Sequence, residues 1–188
     1  MRKVGLLVVL IIVLLVIFVG GSYISISNAI IRSDEDVRAS WAEVENQLQR
    51  RYDLIPNLVE TVKGYAAHES AVFQAVADAR ARLGGARSMS EKIEASNALE
   101  GALGRLLVVV ENYPELKADA SFRQLMDELA GTENRIAVAR GRYNEKVRAF
   151  NVKIRVFPNS IVSGMKGITP HMLFEAQEGA RTAPQVKF

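Results

Sequence analysis

Apolar residues follow two regimes along this chain. From Val4 to Ile31 there is no charge, and Val4 through Val19 is an almost unbroken aliphatic run. After Ser33 the apolar residues stand three or four apart among charges. Gly5 to Gly21, continued through Ser22 to Ile26, supplies about 20 residues, enough for a helix to cross the hydrocarbon core of a bilayer. The later spacing is that of amphipathic helix.

Steps of three and four from Val37 reach Trp41, Val44, Leu48, Tyr52, Ile55, Val59, Val62, Ala66, Glu69, Phe73, Val76, Arg80 and Leu83, a sustained seam. Ser33 followed by Asp34, Glu35 and Asp36 predicts the helix start. Pro56 removes a backbone donor and crowds the preceding turn, which predicts a kink or break near Asp53. Gly84 and Gly85 predict the stop. Ser88 with Glu91 three residues on is a capping box for a second helix through Ile93, Leu99, Leu103, Leu106 and Val110 to about Asn112. Within it Gly101 and Gly104 lower helicity but allow close approach.

A third long helix is predicted from Asp119 or Ser121. Its seam is Phe122, Leu125, Leu129, Glu133, Ile136, Arg140, Tyr143, Val147, Phe150, Ile154 and Phe157, ended by Pro158. Ser163 to Gly167 and Pro170 read as a loop, His171 to Ala180 as a short docking helix, and Arg181 to Phe188 as a tail. No strand-like alternation of useful length and no internal repeat occurs. The expected fold is all-α: a transmembrane helix, then an antiparallel bundle of three long helices and a short C-terminal helix. The corresponding division is residues 1–27 for the flank and anchor, 28–180 for the bundle and 181–188 for the tail. At 1.5 Å per residue the three long helices would measure about 75, 37 and 58 Å. Either the first breaks at Pro56, or part of a seam stays uncovered and offers a surface to a second copy or another protein.

Charge sets the expected orientation. Arg2 and Lys3 make the flank before the apolar run positive, and positive flanks stay cytoplasmic, which places the body on the other side. A cleaved secretory signal, with Val19-Gly20-Gly21 as a loose cleavage site, is the rival reading, and it exports the body too. The chain has no cysteine, which excludes lipoprotein attachment, disulfides, thiol nucleophiles and Cys-based metal sites. The formal net charge of +3 is small and gives no reason to expect nucleic acid. Acids outnumber bases eight to four from Asp34 to Glu69, whereas bases outnumber acids seven to two from Glu133 to Phe157. That partition favours docking of the third helix on the first, although single exposed pairs contribute little.

Polar residues on the seams are the candidate chemistry. Glu69, Arg80, Glu133 and Arg140, with His68, Asn134, Asn144 and Asn151 close by, read first as a buried polar network that fixes register. The second reading is a ligand-binding or hydrolytic cleft built from Glu69, Glu133 and Arg140, with two carboxylates dividing acid and base roles. Carboxylate-bridged metal pairs need Glu-x-x-His on facing helices, and zinc hydrolases need His-Glu-x-x-His; the two histidines fit neither. No Gly-x-Ser-x-Gly elbow is present, so no cofactor, metal or catalytic residue is assigned. Arg50, Arg51, Asp53, Pro56 and Asn57 cluster where the first helix should bend and form a candidate docking site for a partner.

The segment Arg50-Arg-Tyr-Asp-Leu-Ile-Pro-Asn-Leu-Val-Glu-Thr-Val-Lys-Gly-Tyr-Ala-Ala-His-Glu69 is long and unusual. Together with Glu111-Asn-Tyr-Pro-Glu-Leu-Lys117, Thr132 to Arg140, Tyr143-Asn144, Asn151 and the Pro-x-Val-x-Phe ending at Phe188, it resembles the LemA family. The resemblance covers nearly the whole chain. It implies a bacterial single-pass membrane protein of the cytoplasmic membrane with a helical bundle outside the cytoplasm, and it implies no reaction. The resulting expectation is a non-enzymatic scaffold or accessory protein, bound to the lipid bilayer by its N-terminal helix and to another envelope protein or to itself.

Overall fold

A computed structural model of the chain describes residues 2–66 and 68–174. Six helices occur among them: α1 (Arg2–Lys63), α2 (Ser70–Gly85), α3 (Met89–Val110), α4 (Pro114–Ala118), α5 (Ala120–Lys153) and α6 (Asn159–Met165). No strand occurs among the described residues, and the protein is all-α. One helix, α1, is long and apolar enough to cross a membrane.

Helix α1 departs from expectation at both signals. It does not begin at Ser33 but runs 62 residues without interruption, through Pro56. Nothing between Ile31 and Val37 stops a helix already under way, and the Asp34 carboxylate accepts from Arg38 Nε at 3.0 Å rather than capping a terminus. At Pro56 the missing N–H frees the Tyr52 carbonyl one turn back. Arg80 of α2 donates its Nε to that oxygen at 3.2 Å, and its guanidinium lies 3.9 Å above the Tyr52 ring. A side chain from another helix thus replaces the bond the proline removes.

The seam predicted to run on to Leu83 is divided. Helix α1 ends at Lys63, the chain turns through Gly64 to Glu69, and α2 starts at Ser70. The capping box forms as read: Glu91 N–H donates to Ser88 Oγ at 3.2 Å, and Glu91 Oε2 accepts from Ser88 N–H at 3.3 Å and from Arg87 N–H at 2.8 Å. Helices α2 and α3 pack as a hairpin. Asp119 Oδ1 accepts from Phe122 N–H at 2.9 Å, a hydroxyl-free N-cap that starts α5.

The described residues form two compact units, 2–40 with 143–173, and 41–142 with Phe174. The second holds an apolar core in which Ile55, Leu58 and Val62 of α1 meet Phe73 and Val76 of α2, Leu99 and Leu106 of α3, Leu116 of α4, and Phe122 and Leu129 of α5. Its α1 and α5 segments run antiparallel, as Glu43 pairs with Arg142 at 2.9 Å and Arg51 with Glu133.

The first unit buries Ile30 and Val37 of α1 with Tyr143, Val147, Phe150 and Ile154 of α5. Lys153 Nζ reaches the Ala29 carbonyl at 3.3 Å. Helix α5 ends at Lys153, short of the seam read to Phe157, which is 80% exposed. The helix expected from His171 does not start there. Asn151 takes both backbone groups of His171, donating to its carbonyl and accepting its N–H at 2.9 Å each, and holds 171–174 in non-helical form. The remainder of that predicted helix and the tail lie outside the described residues. Helix α6 instead forms directly after Pro158 and takes in residues 163–165 of the stretch read as a loop; Gly167, at φ 64, closes it, with Ile168 N–H on Ser163 O at 3.0 Å.

Candidate functional site

Within the second unit, the buried positions of α1 are Trp41, Val44, Leu48, Arg51, Ile55, Leu58 and Val62. Arg51 and Leu58 therefore occupy the seam where Tyr52 and Val59 were expected. On α5 the shift is similar, because Thr132 and Ala139 are buried while Glu133 and Arg140 flank them. The result is a charged layer across α1, α3 and α5.

Arg51 Nη2 pairs with Glu133 Oε2; the Arg51 side chain is 7% exposed and that of Glu133 36%. Arg140 Nη2 donates to Ser96 Oγ at 3.0 Å, its Nη1 stands 3.5 Å from Glu100 Oε2, and its guanidinium lies 4.3 Å over the Phe174 ring. Burial lowers the Arg140 pKa from its ordinary value, the charges of Glu100 and Glu133 oppose that shift, and Arg51 adds to it. Two cations and two anions balance in this layer. Gln47 Oε1, Arg51 Nε and Nη1, and Arg140 Nε have no hydrogen-bond partner among the described residues. Thr132 satisfies itself, donating to Glu128 O at 2.8 Å.

The expected network divides into separate pieces. Glu69 stands at the start of α2, where its Oε1 accepts from Tyr113 Oη at 3.4 Å. Burial and the Glu69 charge raise the Tyr113 pKa. Arg80 serves Tyr52. Asn144 is half-buried on α5, and His68 and Asn134 are exposed. Glu69, Glu133 and Arg140 thus bind different partners and do not form one cleft. Among the described residues no three of His, Asp and Glu stand close enough to share a metal ion.

The residues expected to form a kinked docking site are only partly kept together, and the helix does not break there. Arg51 belongs to the charged layer, and Pro56 is half-buried within an unbroken helix. Arg50, Asp53 and Asn57 remain exposed; Asp53 accepts from Gln49 Nε2 at 2.9 Å and the Asn57 carbonyl from Thr61 Oγ1 at 2.8 Å.

A polar group that the sequence did not single out lies in the first unit. His171 Nε2 is 2.6 Å from Asp34 Oδ1, and its ring centroid is 4.8 Å from that of Phe150. Burial pushes the Asp34 carboxyl up, but the His171 hydrogen bond and the Arg38 charge outweigh it and leave its pKa below the ordinary value. Tyr143 donates to Met172 O at 2.8 Å, and burial pushes its pKa up to about 12. Together with Asn151 these groups strap residues 171 and 172 to α1 and α5. Asn151 was legible as a polar residue near a seam; the distant partner was not.

Comparison with known proteins fits this architecture. The sequence model of the LemA family matches residues 40–188. The magnetosome protein MamQ 2 of Paramagnetospirillum magneticum is 27% identical over 181 residues, covering 82% of this chain and 66% of that protein. MamQ of Magnetospirillum gryphiswaldense is 28% identical over 170 residues, covering 75% and 62%. Protein LemA of Metamycoplasma hominis is 22% identical over 157 residues, covering 83% and 72%. The chain spans a little under two thirds of the length of the MamQ proteins it matches. With the match covering residues 40–188, well over half of the sequence, the chain belongs to the LemA family.

Proposed function

We propose that this protein is a membrane-anchored scaffold whose helical body lies outside the cytoplasm of a bacterial cell and acts by binding another envelope protein. The observation that carries the reading is the unbroken α1, a single helix of 62 residues that includes the apolar run and supplies core residues to each unit. A helix that is at once span and part of the body ties the partner-binding surface to the bilayer. The charged layer supports the same reading, because its ions pair with one another rather than facing an open cleft. The positive flank of Arg2 and Lys3 supports a cytoplasmic N-terminus in the cytoplasmic membrane. In this reading residues 1–27 are flank and anchor, 28–180 the body and 181–188 a tail.

The test is photocrosslinking of the full-length chain in its native membrane from Arg50, with the captured proteins identified by mass spectrometry. The expected result is reproducible capture of one other envelope protein, lost when Asp53 and Asn57 are both changed to alanine at unchanged helicity. Capture of nothing but further copies of this chain would replace the hetero-partner with self-association. No capture at all would overturn the scaffold reading.

A further inference from the structure

The first unit carries an apolar surface that its own core does not use. Phe157 is 80% exposed, Ile161 55% and Met165 72%, spaced four apart along one side of the turn into α6. These three, with Pro158 and Val162, form one wall of a groove of about 1250 Å³ whose other wall is Ile17 to Ile26 of α1. The second wall is part of the apolar run itself.

Residues 4–31 measure about 42 Å as helix, against a hydrocarbon thickness of about 30 Å. The uncharged stretch is therefore longer than the bilayer core, and its body-side end must lie at the depth of the lipid interface. Cations mark that level. Lys153 Nζ bonds Ala29 O and Lys166 Nζ bonds Ser27 Oγ, so both lysines stand beside residues 27–29. The exposed Arg32 and Arg155 adjoin them in sequence. The apolar side chains meet α1 lower, at Ile17 to Ile26. Charge and hydrocarbon are thus sorted along the α1 axis in the order in which a leaflet presents phosphates and acyl chains. Lysine stems that cover apolar surface while their ammonium groups reach phosphate suit this boundary.

We infer that Phe157 to Met165 is a second membrane contact: α6 lies in the leaflet on the body side, phospholipid acyl chains fill the groove against α1, and Lys153, Arg155 and Lys166 meet headgroup phosphates. Lipid is the occupant because the groove is continuous with the span, whose surroundings in a bilayer are acyl chains. A short amphipathic segment in the interface adds to the anchoring of a single helix and fixes its rotation about the bilayer normal. The inference rests on α1 spanning a membrane, as proposed above.

The chain lacks cysteine, so single substitutions give unambiguous labels. Full-length Phe157→Cys, Met165→Cys, Ile12→Cys and Arg148→Cys variants would be labelled with an environment-sensitive fluorophore. Each would be placed one chain per nanodisc of phosphatidylcholine and phosphatidylglycerol. Nitroxide-bearing lipids and aqueous iodide serve as quenchers. The expected result is that labels at 157 and 165 are quenched by the lipid nitroxide as the label at 12 is, and lose the iodide quenching seen at 148. Adding Ile161→Asp should return iodide quenching to the 157 label. Iodide quenching at 157 and 165 with lipid quenching retained at 12 overturns this inference alone, as does shielding of those labels from both quenchers. Loss of lipid quenching at 12 overturns the membrane reading itself.

Discussion

Arg51 and Glu133 differ in what each would leave behind. Removing Glu133 strands a guanidinium that is 7% exposed, whereas removing Arg51 leaves a carboxylate that is 36% exposed and can take water. Glu133→Ala should therefore destabilise the body by about 3 kcal/mol, and Arg51→Met, which keeps the volume, by clearly less. Urea unfolding of the two variants in the same detergent checks the order; equal losses would mean that the layer is held by packing alone. Arg80 offers a second case. Loss of its bond to the Tyr52 carbonyl in Arg80→Met should cost about 2 kcal/mol. In a Pro56→Ala background residue 56 can again donate to that carbonyl, and the same change should cost much less. The coupling in that double-mutant cycle is the measurement, and additive effects would refute the pairing. Arg80 and Pro56 were each visible in the sequence as individual oddities, and Tyr52 only as a seam residue. Their connection was not, because it joins residues 28 apart.

At the level of elements, a helix end marked by reciprocal local bonds was legible, whereas helix continuity was not. The start of α3 needed only Ser88 and Glu91, whose reciprocal bonds are local. Ser88→Ala should weaken that start by about 1 kcal/mol. Hydrogen bonds from the Arg87 and Ser88 N–H groups hold the Glu91 pKa below its ordinary value. A lowered carboxyl contributes stability that is present above that value and lost as pH falls through the folded one. Acid titration of amide exchange in the first turn of α3 should show this loss, and Glu91→Gln should remove the titration. Proline was the misleading signal. Its local effect is to break a helix, but Arg80 from α2 restores the bond, and α1 continues to Lys63. Helix α6 escaped detection because seven residues carry too little periodicity to distinguish from a loop.

For the molecule as a whole, the proposed orientation rests on the positive flank of Arg2 and Lys3. Replacing Arg2 and Lys3 with glutamine should produce a mixed population in which some bodies face the cytoplasm. Labelling of a Glu94→Cys variant in intact cells by an impermeant maleimide reads that directly, Glu94 being exposed on α3. Full labelling in both backgrounds would show that the flank does not govern topology.

The sequence by itself determined the all-helical class, the apolar helix long enough to cross a bilayer, the cap of α3 and the helical period of each seam. These depend on composition, spacing and near neighbours, which the chain carries locally. The tertiary structure decided which of two adjacent residues faces inward, Arg51 or Tyr52, because a helical period locates a face only to within one residue, about 100°. It decided that Pro56 does not break α1, that Glu69 and Glu133 take different partners, and that Phe157 to Met165 stands beside the apolar run. Each of those outcomes required a surface from a distant part of the chain, and only folding brings such surfaces together.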